Sequence, residues 1–179
     1  MLSFLHLIDI SILQLVNLSF HNIILDNIFL MISNMGTIIF WIVISILLYM
    51  FGNEKGKKIA TKMIIILVIT TAITSLVKII VMRPRPYVEL TNLILLDLGT
   101  DYSFPSGHTT TSTAMAFILS KEYHKWIVMI IPLIVAFSRM YIGVHYPSDV
   151  LGGFLLGIGI VYLSEYFIDF EKLQKLIGN

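Results

Sequence analysis

The chain contains no cysteine and carries little charge. Without cysteine, disulfides, thiolate chemistry and cysteine-type zinc or iron–sulfur sites are excluded, and the redox compartment is left open. Lysine, arginine, aspartate and glutamate make up 13% of the 179 residues, against about 25% in ordinary soluble domains. The formal net charge is only +1, so no basic field exists for nucleic acid, which is excluded as a partner. No long repeat or low-complexity tract is visible. In place of charge stands hydrocarbon: 57% of the residues are hydrophobic and the mean hydropathy is +0.90. This is the composition of a membrane protein, and the length allows one domain over residues 1–179 with no independent soluble module.

Crossing a hydrocarbon core of about 30 Å takes about 20 apolar residues in a helix. Four stretches meet that test: about Ile28 to Phe51, Ile59 to Met82, Trp126 to Val144 and Val150 to Ile168. A fifth starts at Pro105-Ser106-Gly107-His108 and runs to about Leu119. It is short and rich in Thr and Ser, so it reads as a span buried among its neighbours. The stretch Leu2 to Phe20 contains His6, Asp9, Gln14 and Asn17, which suit an interfacial or tilted helix. A secretory signal competes with that reading, but no basic leading region or clear small-residue cleavage site accompanies it. The expected fold is an all-α polytopic transmembrane helix bundle of five spans plus a shorter amino-terminal helix. Gly153-x-x-x-Gly157 in the last span fits a small-x-x-x-small contact, read here as packing within the chain rather than dimerisation.

Lysines set the expected orientation. Lys55, Lys57, Lys58 and Lys62, then Lys121 and Lys125, then Lys172 and Lys175 fall on one side by alternation of the spans. By the positive-inside rule that side is cytoplasmic. Arg83 and Arg85 fall on the other side, against the rule, and a ligand accounts for them better than topology does.

Three polar clusters interrupt the apolar chain, and the alternation brings all of them to the outer face. Ionisable groups are costly near a bilayer, so such clustering points to function. In the first, Lys78 offers a point charge and Arg85 a planar fork for phosphate oxygens. The prolines of Arg83-Pro84-Arg85-Pro86 end the helix. Arg83 taken alone reads as a headgroup anchor that snorkels at a helix end. In the second, Gly107 permits an unusual turn, and the helix behind it offers free N–H groups to an anion. Ser106 is a donor there, or simply a helix cap, and His108 could protonate a leaving oxygen. In the third, Ser138-Arg139-x5-His145-x3-Asp149, Asp149 can accept a ring N–H of His145 and free the other nitrogen as a nucleophile. A metal half-site is the alternative for this His–Asp pair, weakened by the lack of further carboxylates or histidines nearby. His6, His21 and His124 stand apart and read as structural or solvated.

Taken together, Lys78-x6-Arg85-Pro86, Pro105-Ser106-Gly107-His108 and Ser138-Arg139-x5-His145-x3-Asp149 resemble the tripartite signature of the type 2 phosphatidic acid phosphatase superfamily of membrane lipid phosphatases. The resemblance runs from about Ile24 to Ile168, with its signature over residues 78–149, and its spacing selects Arg85 over Arg83. It implies hydrolysis of a lipid phosphate or diphosphate with no metal or other cofactor. In that implied reaction His145 attacks phosphorus to give a phosphohistidine, and His108 protonates the departing oxygen. Water then releases phosphate. Lys78, Arg85, Ser106, Gly107 and Arg139 hold the phosphate oxygens and Asp149 orients His145. The expected setting is the cell membrane, with the site facing outward and an undecaprenyl-type polyprenyl diphosphate as substrate. The alternatives are phosphatidylglycerophosphate or phosphatidate, and, from another class, a non-catalytic phospholipid binder or transporter.

Overall fold

The computed structural model describes residues 4–177, with side chains through residue 173. Leu2 and the Lys175 side chain, both used above, lie outside them. The described residues form helices and connecting loops: α1 Phe4–Leu18, α2 Ile23–Asn34, α3 Ile38–Phe51, α4 Glu54–Val81, α5 Pro86–Glu89, α6 Gly107–Tyr123, α7 Ile130–Tyr141, α8 Pro147–Phe167 and α9 Phe170–Ile177. A 3-10 turn, Trp126–Met129, leads into α7.

Helix boundaries follow local chemistry. The Asn53 side chain accepts from the Gly56 N–H at 3.0 Å and opens α4, satisfying one of the unpaired N–H groups of a helix start. The Arg-Pro-Arg-Pro run stops α4 just beyond Val81, because each proline bars its predecessor from helical geometry. In α8, Pro147 takes the first position, where its missing N–H costs nothing. There the Asp149 carboxylate reaches back to the Tyr146 N–H at 2.8 Å.

Helix α6 is central, with every residue from Thr109 to Ile118 buried. Its hydroxyls turn back on the helix: Thr110 Oγ1 donates to the Ser106 carbonyl at 2.9 Å and Ser112 Oγ to the His108 carbonyl at 2.7 Å. Small residues let α8 lie against it. A Cβ on Gly157 would stand 2.7 Å from the Thr110 carbonyl oxygen, and one on Gly153 3.0 Å from that of Ser106. The expected Gly153–Gly157 contact is therefore one within the chain. Away from α6 the helices show hydrocarbon, with Ile39, Leu76, Ile80 and Leu155 all exposed, as lipid-facing positions require.

The spans differ from the expectation in two respects. Helices α4 and α8 are each long and apolar enough to cross a membrane, and α2 with α3 becomes a third only as one span bent by 59°. The stretch from Ile28 to Phe51 is thus broken at Asn34–Thr37. Gly36 lies at the break against α6, where a Cβ would be 2.7 Å from the Cβ of His108, and Thr37 starts α3 by accepting from the Phe40 N–H at 3.2 Å. Helices α6 and α7 are shorter than a bilayer-spanning helix.

The second difference is α1. It is the shorter amino-terminal helix anticipated, but its polar side chains face protein rather than headgroups. Asp9, Leu13 and Asn17 are buried. Asn17 Nδ2 donates to the carbonyls of Ile94 at 2.8 Å and Tyr141 at 2.7 Å, and its Oδ1 accepts from the Ile94 N–H at 2.9 Å. Helix α1 is held by the loop after α5 and by the end of α7.

Candidate active site

All three polar clusters meet at one end of the bundle. Lys78 lies in the last turn of α4 and is buried. Its ammonium donates to the Tyr102 carbonyl and sits 3.3 Å from Asp101 Oδ2. Arg85, past the end of α4, donates through Nε to the Asp101 carbonyl at 2.8 Å and through Nη1 to the Val144 carbonyl at 3.1 Å. Its Nη2 pairs with the Asp101 carboxylate. Burial pushes the Asp101 carboxyl up, yet the Arg85 hydrogen bond and the Lys78 charge hold it below the usual carboxylate range. Two cations are thus already disposed around anionic oxygens.

Ser106 and Gly107 start α6. The Ser106 N–H donates to the Asp149 carbonyl at 3.0 Å, which ties the start of α6 to the start of α8. The Ser106 hydroxyl caps no backbone N–H. It accepts from the Thr109 hydroxyl at 3.1 Å, so the capping alternative does not hold and its proton remains to be donated. His108 lies within electrostatic reach of Arg139, His145, Arg85 and Lys78. A cavity of about 220 Å³ is lined by Lys78, Gly107, His108, Gly36, Thr74 and Asp101, among others.

Ser138 itself only donates back to the Val135 carbonyl, at 2.7 Å. Arg139, buried in α7, donates from Nη1 to Ser33 Oγ at 2.6 Å and lies 3.6 Å from Asp97 Oδ2. Its Nε is buried with no partner among the described residues. A buried donor left unpaired costs about 1–3 kcal/mol, so this N–H suits an oxygen that a ligand brings. Asp97 and Asp101 both come from the loop after α5, and neither carries a motif that the sequence reading could use.

His145 is 1% exposed and Asp149 0%. His145 Nδ1 lies 3.5 Å from Asp149 Oδ2 and 3.4 Å from Ser103 Oγ, while Nε2 faces Arg85 Nη1 at 3.5 Å. Burial lowers the pKa of the His145 imidazole, against the opposing pull of Asp149, and so favours the neutral ring a nucleophile needs. With a proton on Nδ1 facing Asp149, the Nε2 lone pair is directed to the arginine side. Ser103 Oγ also donates to Asp149 Oδ2 at 2.5 Å. It sits three residues ahead of Ser106, a spacing that carries no signal of its own.

Arg83 corrects the sequence reading. It is no headgroup anchor: Nη1 donates to Asp149 Oδ1 at 2.7 Å and to Ser148 Oγ at 2.6 Å, and Nη2 to Asp9 Oδ2 at 2.7 Å. Its guanidinium carbon stands 4.1 Å from the ring centroid of Tyr146. The three isolated histidines stay outside the site: His6 meets Glu89 at 3.0 Å, His21 meets Asp26 at 2.8 Å, and His124 closes α6 in a left-handed conformation.

A second, apolar groove of about 610 Å³ lies between α3 and α4, lined by Ile42, Ile64, Leu67 and Val68. It shares Ile38, Thr71 and Ser75 with the Lys78–His108 cavity, so a polar chamber and a hydrocarbon trough adjoin.

Known proteins resemble this arrangement. The PAP2 superfamily pattern matches residues 59–172. The chain is 34% identical over 154 residues to undecaprenyl-diphosphatase BcrC of Bacillus subtilis, covering 85% of this chain and 79% of that protein. It is 32% identical over 156 residues to an undecaprenyl-diphosphatase of Sulfolobus acidocaldarius, covering 85% and 75%. Among solved structures, a transmembrane PAP2 type phosphatidylglycerolphosphate phosphatase from Bacillus subtilis superposes with a TM-score of 0.77 at 23% identity, over 93% of this chain and 87% of the other. That last likeness is one of fold.

Proposed function

The chain belongs to the PAP2 superfamily and is a membrane lipid phosphatase, and we propose that it cleaves a polyprenyl diphosphate of the undecaprenyl type to the monophosphate. The observation that carries this reading is the join between the polar chamber lined by Lys78 and His108 and the apolar groove between α3 and α4. A phosphate head and a hydrocarbon tail fit such a pair of adjoining spaces. The names of the two relatives at 34% and 32% identity favour a diphosphate over other lipid phosphates.

In this mechanism the phosphate displaces the Asp101 and Asp97 carboxylates and takes their place between Lys78, Arg85 and Arg139. Ser106, the Gly107 N–H and the unpartnered Arg139 Nε complete the cradle. His145 Nε2 attacks the terminal phosphorus and forms an N–P bond as the bond from that phosphorus to the bridging oxygen breaks and the lipid monophosphate departs. His108 delivers a proton to the departing oxygen. Water then attacks the phosphohistidine, His108 takes its proton, and inorganic phosphate leaves. Phosphoryl transfer needs positioning and charge neutralisation above all, and the cations supply both without a metal. The whole of residues 1–179 then acts as one lipid phosphatase domain.

Purified protein in detergent, supplied separately with undecaprenyl diphosphate, phosphatidylglycerophosphate and phosphatidate, tests this. The expected result is fastest phosphate release from the diphosphate, undiminished by excess EDTA. Preference for a glycerolipid phosphate would replace the substrate, and a loss with EDTA that divalent ions restore would replace the mechanism.

The site is proposed to face outward in the cell membrane. Lys55, Lys58 and Lys62 gather with Glu122 at the start of α4, whereas Lys78 lies near its end. At about 1.5 Å per residue roughly 35 Å separates the two, enough to cross the hydrocarbon core. Thr91 and Lys125 are exposed and the chain has no native thiol, so single cysteines there report the two sides. A membrane-impermeant maleimide on intact cells is expected to label Thr91→Cys and spare Lys125→Cys. The reverse pattern would put phosphate release in the cytoplasm.

A further inference from the structure

Helix α1 carries one acidic residue, Asp9, and buries it. Both of its oxygens are used: Oδ1 accepts the Ser148 N–H at 2.9 Å, and Oδ2 accepts the Ser148 hydroxyl at 2.5 Å and Arg83 Nη2 at 2.7 Å. Arg83 turns its other nitrogen to Asp149 Oδ1 at 2.7 Å. Asp149 Oδ2 in turn faces Nδ1 of His145 at 3.5 Å. Charges of alternating sign therefore run from α1, through the loop after α4, to the first turn of α8.

The order of the chain gives each member a task. Arg83 occupies one oxygen of Asp149, so the other is left to Ser103, the Tyr146 N–H and the ring of His145. A carboxylate gripped on both sides cannot rotate away from the imidazole. Arg83 alone would also oppose the positive charge that grows on His145 as it attacks. Asp9 offsets that charge and holds the guanidinium over Tyr146.

We infer that Asp9 and Arg83 are positioning residues of the hydrolysis, fixing Asp149 and through it the His145 ring, so that α1 forms part of the active site. The inference rests on the reading of His145 as nucleophile. It differs from a purely structural staple in what it does to catalysis: phosphate binding is left alone and turnover is not.

The test uses full-length protein in detergent, with the lipid it hydrolyses fastest and with inorganic phosphate as competitive inhibitor. Arg83→Gln is expected to lower kcat about 30-fold, the scale on which small misplacements act, with KM and the phosphate inhibition constant held within about twofold. Arg83→Lys should recover part of the loss, because a single ammonium still reaches Asp149. Asp9→Asn should lower kcat about fivefold alone and add nothing to Arg83→Gln, since Asp9 acts through Arg83. Should the glutamine variant not survive extraction, Arg83→Lys and Asp9→Asn carry the same comparison of kcat with inhibition. Unchanged kcat, additive losses, or phosphate inhibition weakening in step with kcat would each overturn the proposal. Full activity in a His145→Ala variant would instead remove the nucleophile reading on which it rests.

Discussion

His145→Ala is expected to release no phosphate above the enzyme-free rate, a loss on the order of 10⁴-fold or more. In the proposed mechanism the ring does the bond-making, and the site has no substitute for it. Nε2 of His145 stands 3.5 Å from Arg85 while Asp149 backs Nδ1. Among the described residues His108 has no such carboxylate partner, and it lines the chamber beside Lys78 and Gly36. Oxygens such as the Ser103 hydroxyl are already committed to Asp149. Inorganic phosphate should still bind the variant, because Lys78, Arg85 and Arg139 are untouched. Groups that act as a unit lose their effect together, so His145→Ala/His108→Ala should be no slower than His145→Ala alone. Near-normal phosphate release by the single variant would end the phosphohistidine mechanism.

Residues fixed by short spacing were legible in the sequence, whereas those fixed by tertiary contact were not. Asp149 lies four residues from His145, and one helix start suffices to bring them together. Lys78 and Arg85 bracket the end of α4, where the Arg-Pro repeats end the helix. Asp9 is different: 74 residues separate it from Arg83, and no local pattern announces that pairing. Its i,i+4 spacing with Leu13 and Asn17 does place the three on one helix face. Periodicity alone leaves open what that face meets, and here it meets protein. The same limit misplaced Arg83, since a lone arginine at a helix end looks alike whether it reaches lipid or a buried carboxylate.

Hydropathy has a comparable blind spot at the first long apolar stretch. The segment Asn34-Met35-Gly36-Thr37 carries a glycine and a helix-starting threonine, a legible break. A window long enough to find a span averages across it. The break has consequences for the site, because it brings Ser33 to Arg139 at 2.6 Å and Gly36 against His108. Helix α6 was legible for the opposite reason: a short run rich in Thr and Ser cannot face lipid cheaply, and it lies in the middle of the bundle.

His108→Ala is expected to slow hydrolysis of a lipid phosphomonoester such as phosphatidate by ~10²–10⁴-fold, the usual contribution of a positioned general acid. The lipid monophosphate that leaves a diphosphate is already a good leaving group, whereas an alkoxide leaving such an ester is a poor one at neutral pH without a proton. The imidazole at the start of α6, in the chamber shared with Lys78 and Gly107, is the group placed to supply one. An activated aryl phosphate departs without that help, so the variant should lose far less of its first-turnover rate on p-nitrophenyl phosphate than on phosphatidate. With that substrate the first step stays fast while the second lacks its base. Nitrophenolate should therefore appear in a burst stoichiometric with enzyme, and the phosphate should be trapped on His145 as an acid-labile, base-stable adduct. Arg85→Ala should instead weaken both substrates alike, since a charge-assisted phosphate contact does not depend on the leaving group. Equal first-turnover losses of the His108 variant on phosphatidate and p-nitrophenyl phosphate, with no burst, would take the proton-transfer role away from His108 and leave it as a wall of the phosphate chamber.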